Sequence, residues 1–252
     1  MKRVYSVVLL LLCLLIVLSG CGKKDAKVTD NQESNVNVSY RDKLSIDEKN
    51  LKHVKIDSDN VIDISDVPEL RDFVSHVFIA KVESIDGCST TVGNEKFSPI
   101  PAEYGKMRVL RSIKGSVDSD SINFYRAGGV ISIAEYEKDA PAEMVANEEK
   151  HRKASGNENI DKNANFYEWK EDGDIDIEAG KTYIFFAMYN EETGYYNILG
   201  AQYGSREISS GEANDKDDKI SMNALDKDEL KLKNNDSGKY ESLKEFIDKY
   251  FS

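Results

Sequence analysis

The chain has 252 residues, with 46 Asp and Glu against 34 Lys and Arg, and a formal net charge of −12. That balance excludes nonspecific nucleic-acid binding, which needs clustered Lys and Arg facing phosphates. It also excludes adhesion to anionic headgroups through a basic patch.

The N-terminus carries Lys2 and Arg3, then an unbroken apolar run of 12 residues, Val7 to Leu18. A bilayer span needs about 20 such residues. A positive start, a short apolar run and small residues before a cysteine read as an export signal over residues 1–20. Leu18-Ser19-Gly20-Cys21 resembles the lipobox of bacterial lipoproteins, and the chain as a whole resembles lipoproteins of Gram-positive bacteria. The resemblance implies diacylation of Cys21, cleavage before it, and an outward-facing body held at the cell membrane by lipid. Losing residues 1–20 removes two of the 34 basic residues and no acid, leaving 32 against 46, a charge of −14. Cys13 leaves with the signal and Cys21 takes the lipid, so only Cys88 remains and no internal disulfide can form. A lone cysteine reads as a small buried apolar residue.

Residues 21–50 are rich in Lys, Asp, Asn and Ser. Such a stretch buries too little to offset its ordering entropy and is expected to be a flexible tether, with a reach of roughly 30 Å. A single globular domain is expected over 51–252. Asp66-Val67-Pro68-Glu69 starts a short helix over 66–75, with Leu70, Phe73 and Val74 on one face. Strands follow at Val77–Ile85, Tyr104–Ile113 and Ile122–Arg126, the last stopped by Gly128-Gly129, which suit a turn with positive φ. Residues 131–165 read as a helical insert, split at Pro141. The strand pattern returns around Ile175 and Ile177, runs most strongly over Thr182–Tyr189, and turns at Glu191–Gly194 into Tyr195–Gly200. A further short strand is expected near Arg206–Ile208, and an acidic loop over 210–220. Tyr240, Leu243, Phe246, Ile247 and Tyr250 form the apolar stripe of a C-terminal amphipathic helix.

These elements predict an α+β domain: a small antiparallel β-barrel or strongly curved sheet, with a helical insert and a C-terminal helix. The punctuation Ala80-Lys81-Val82, Val109 through Lys114-Gly115, and Gly180-Lys181-Thr182-Tyr183 with Phe185-Phe186 resembles secreted domains with the oligonucleotide-binding-type barrel, the tissue-inhibitor and netrin-module group. That group's inhibitors chelate a protease metal through N-terminal cysteines, which this chain lacks, so inhibition does not carry over.

On a strand, Asp174, Asp176 and Glu178 would share one face, a donor set suited to Ca²⁺. A solvated strand face explains the same pattern. Asn214–Asp218 is a second acidic cluster, broken by Lys216. His53, His76 and His151 are never four apart, and no zinc, nucleophile or phosphate-loop motif occurs. Tyr195, Tyr196 and Tyr203 are candidates for a binding face, since tyrosine gives large area at low entropy cost. Strand propensity and core packing are the plainer account of the same tyrosines. The function read from the sequence is a non-enzymatic binding module for a protein or glycan ligand, without cofactor. The alternative is a cell-envelope hydrolase using scattered carboxylates.

Overall fold

The computed structural model describes residues 38–93, 96–209 and 230–252. It is mostly β-sheet, with short helices between strands and one at the C-terminus. In chain order the strands are β1 (Val38–Ser39), β2 (Leu51–Ile56), β3 (His76–Ser89), β4 (Ala102–Lys114), β5 (Ser121–Ala127), β6 (Gly129–Ser132), β7 (Phe166–Glu171), β8 (Thr182–Asn190), β9 (Tyr195–Ile198), β10 (Ser205–Ser209), β11 (Lys231–Lys233) and β12 (Tyr240–Ser242). The helices are α1 (Val67–Phe73), α2 (Ile133–Lys138), α3 (Ala142–Ala154) and α4 (Leu243–Phe251), with a 3₁₀ turn at Tyr40–Lys43.

The larger sheet runs β1-β3-β4-β5-β9-β8-β10-β11-β12, and β3 also pairs with β8. Following β3-β4-β5-β9-β8 therefore returns to β3, and the sheet is ring-like. β5 and β9 are parallel, while the other ring pairs are antiparallel. β3 serves two neighbours along its 14 residues, and its pairing with β4 shifts register between Val77 and Phe78, Ile79 and Ala80, Val82 and Ser84, and Ile85 and Gly87. Bulges of this kind bend a strand and raise its twist, which is what closing five strands requires.

Two cores explain the sequence pattern. Alternate ring residues, among them Phe78, Val82, Met107, Phe124, Phe185 and Tyr196, fill the ring's interior. The opposite faces of β3 and β8, through Val77, Ile79, Ile184 and Phe186, pack under Leu70 of α1, Leu232 of β11, and Leu243 and Phe246 of α4. Strands buried on both faces read as continuous apolar runs, as Val77–Ala80 and Tyr183–Ala187 do.

Local signals set the helix starts. The Asp66 side chain accepts from Glu69 N–H at 3.0 Å, and Ser242 accepts from Glu245 N–H at 3.3 Å. Such caps satisfy donors that the first turn leaves open. The stripe Leu243, Phe246, Ile247 and Tyr250 packs inward. Tyr240, expected in the same helix, lies instead in β12 and is exposed.

A second sheet runs β2-β7-β6, with β2 and β7 parallel. The chain crosses to it from the ring at Gly128-Gly129, where φ is 97° and 117°. A Cβ on Gly128 would stand 2.7 Å from Trp169 O, and one on Gly129 would stand 2.3 Å from Glu103 Cγ. Two glycines are thus needed both for the turn and for the close approach.

Three expectations are corrected. The ordered body begins well before residue 51: Val38 and Ser39 pair with Ser84 and Ile85 of β3, and Tyr40 and Arg41 bond to Glu103. A polar stretch is ordered here by specific pairing, which its low apolar content did not announce. The block 131–165 is helical as expected, with Pro141 between α2 and α3, but it is flanked by β6 and β7, which join it to β2. Residues 174–178 are an irregular loop and not a strand. Residues 210–220, with the second acidic cluster, lie outside the described residues.

Candidate functional site

Along β5 the residues Ile122, Phe124 and Arg126 point inward, and the last of them is charged. Arg126 Nη2 donates to Asp174 Oδ1, which also accepts the N–H of Ile175 at 2.8 Å. Both side chains are almost wholly buried, at 7% and 6% exposure. Arg126 Nε is buried and has no hydrogen-bond partner among the described residues. Buried donors are nearly always satisfied, so an open one calls for an explanation.

Arg126 and Asp174 line a cleft of about 270 Å³ at the end of the ring, where the parallel strands β5 and β9 finish together. Its walls are Ser89 at the end of β3, Thr90 and Ser98 between β3 and β4, Tyr125, Asn197 near the end of β9, and Ile56 at the end of β2. Hydroxyls, an amide and an aromatic ring thus surround the Arg126–Asp174 pair, with the carboxylate of Glu171 also on the lining. The cleft can accept and donate several hydrogen bonds without attracting a polyion.

Glu103 stands opposite Arg126 across β4 and β5, yet its partners lie elsewhere. Its Oε1 accepts from Arg41 Nε at 2.7 Å and from the Tyr40 hydroxyl at 2.8 Å. The Tyr40 oxygen in turn accepts Val130 N–H at 2.9 Å. Burial and the Glu103 charge push the Tyr40 hydroxyl well above its ordinary value. Burial, then Glu103, do the same to the Cys88 thiol, which donates to Gly128 O at 3.6 Å. Cys88 is therefore a packed, protonated thiol and a poor nucleophile, because reactivity needs the thiolate.

The three candidate metal ligands are each held by different cations. Asp174 meets Arg126. Asp176 meets Arg41 at 3.2 Å and Lys170 at 2.8 Å. Glu178 meets Lys181 at 2.7 Å. Burial opposes ionisation of Asp176, but the Lys170 hydrogen bond and the Arg41 charge outweigh it and hold its carboxyl below the usual range. The shared strand face on which the Ca²⁺ expectation rested is absent, and among the described residues no group of three or more His, Cys, Asp or Glu is placed to hold a metal. Of the histidines, His53 pairs with Glu168 at 2.6 Å.

The three candidate tyrosines do not share a surface either. Tyr196 is buried in the ring interior, edge-on to Phe78 with centroids 5.5 Å apart. Tyr203 packs in the outer core with α1 and α4. Only Tyr195 comes near the cleft, with its ring 6.2 Å from that of Tyr125. Cys21 lies outside the described residues. The residue that sequence reasoning missed is Arg126, and its signal was a charge at an inward position of a clear alternation. No family model matches this chain, and no curated protein or solved structure does.

Proposed function

We propose that this chain is a lipid-anchored extracytoplasmic binding protein, whose ring of strands is a small barrel of the oligonucleotide-binding type holding a small hydroxyl-rich ligand at its mouth. The ring order supports the barrel reading. Numbered within the ring, its strands run 1-2-3-5-4 and back to 1, with 3 and 5 parallel and the helices between 3 and 4. That is a Greek-key closure of five strands. Barrel mouths are favoured ligand sites.

One observation carries the binding reading: a buried arginine, with an open Nε donor, lining a cleft walled by hydroxyls and a tyrosine ring. A single sugar unit of a glycan matches that lining in size and in hydrogen-bonding character. The hydrolase alternative needs two acids free to act on one bond. Of the two acids that line this cleft, Asp174 is taken up by Arg126 and by its own backbone, which leaves Glu171 alone and favours binding over catalysis. Titration with N-acetylglucosamine, followed by the Arg126 Nε–H resonance, is expected to shift that resonance saturably, and Tyr125→Ala is expected to weaken the effect. A resonance that stays unmoved up to high millimolar sugar would overturn the reading.

The anchor fixes where this cleft works. Val38, where β1 begins, is 17 residues beyond Cys21. Seventeen residues span at most about 60 Å fully extended. The start of the folded body at Val38 therefore lies within that distance of the lipid surface. No helix among the described residues is long and apolar enough to cross a membrane. Cys21→Ala is expected to release the protein to the soluble fraction or leave it held by an uncleaved signal. Normal processing and retention of that variant would remove the anchor from the proposal.

A further inference from the structure

A second cleft, of about 690 Å³, opens between the turn leading into β2, the start of β7 and the end of α3. It shares no lining residue with the cleft at the ring's mouth. Its charged lining is Lys49, Lys52 and Arg152 against the single carboxylate of Glu148, with His151 beside them. On a chain of net charge −12 this is a local reversal of sign.

Arg152 makes the cleft more than a basic patch. It is 8% exposed. Its Nη1 lies 2.7 Å from Glu137 Oε1, but the other Glu137 oxygen is taken by Lys162 at 2.7 Å. Glu137 therefore cannot grip both arms of the guanidinium. Nη1 and Nη2 are both buried, and neither makes a hydrogen bond of good geometry among the described residues. The Glu137 charge and the nearby Tyr167 hydroxyl hold this arginine without fully satisfying its donors. The carbonyl end of α3 would repel an anion, but those carbonyls are already occupied. Ser155, Gly156 and Asn157 N–H groups bond to the oxygens of His151, Lys153 and Arg152 at 3.0, 3.2 and 2.8 Å.

From this geometry we infer that the cleft binds a phosphate group. A planar guanidinium edge whose donors are incompletely satisfied, flanked by two ammonium groups, matches a tetrahedral oxyanion. The cleft is far larger than one phosphate, and Tyr167 and Ile133 supply an apolar wall. The phosphate is accordingly carried on a small organic body, as in a phosphate monoester of a polyol.

The test is calorimetric titration of the soluble chain with sodium phosphate and separately with glycerol 3-phosphate, at constant ionic strength. Both are expected to bind saturably. Tighter binding of glycerol 3-phosphate assigns the site to an organic phosphate, and equal affinity assigns it to free phosphate. Lys49→Glu with Lys52→Glu changes two exposed residues and is expected to keep the parent's melting temperature while weakening both ligands by about tenfold or more, the worth of one good ionic contact. Arg152→Lys keeps a charge beside Glu137, removes the second donor arm and is expected to weaken both again. No saturable heat with either ligand, or unchanged affinity in the double Lys variant, would overturn the inference.

Discussion

Arg126→Met is expected to destabilise the domain by about 3–5 kcal/mol, the usual cost of leaving one member of a buried ion pair uncompensated. The methionine nearly matches the arginine stem in volume, so packing is largely kept. What changes is that Asp174, at 6% side-chain exposure, loses the cation that meets it. Urea unfolding followed by Trp169 fluorescence measures the loss. Adding Asp174→Leu is expected to restore much of it, because replacing both members of a buried pair by apolar groups is often neutral. Recovery stays short of complete, since Ile175 N–H then loses its acceptor, at about 1–3 kcal/mol for a buried orphan. A loss below about 1 kcal/mol in the single variant would mean that the pair behaves as a solvated surface contact.

That pair also marks what the sequence could and could not convey. The ring strands were legible because their patterns are local. Ile122 and Phe124 alternate, and Tyr183–Ala187 is a continuous apolar run because both of its faces are covered. The glycine pair after β5 and the cap on α1 were legible for the same reason. The second sheet was not. Leu51 pairs with Phe166, and Gly129 with Trp169, across the whole helical insert. Nothing within either short segment encodes such a partner. The loop at 174–178 misled for a different reason. Its alternation was real: Ile175 and Ile177 do reach the ring's interior core. But Asp174 bonds to its own following backbone N–H, and Arg126 and Arg41 draw neighbouring carboxylates to separate places. The resulting path is not extended, and no common face forms. The candidate site therefore depended on one inward charge, and on a sheet partner that local pattern does not report.

A chain beginning at Leu44 is expected to be less stable than one beginning at Val36 by about 3–5 kcal/mol, although Tyr40 is the one described residue removed that packs against the ring's core. The cause is Glu103, whose side chain is 5% exposed. Its Oε1 is satisfied by Arg41 and Tyr40, and both go with the deletion. β4 holds Glu103 in place from both sides, by pairing with β3 and with β5, so the carboxylate cannot swing out to water without breaking the ring. Two controls separate this from simple loss of β1. Arg41→Met in the longer chain removes the cation alone and should reproduce most of the effect. Glu103→Leu in the shorter chain removes the orphaned charge and should restore much of the stability. If the two chain starts melt at the same temperature, residues 36–43 belong to the tether after all. The lipid anchor proposed at Cys21 would then imply a longer leash than the 17 residues that separate Cys21 from Val38.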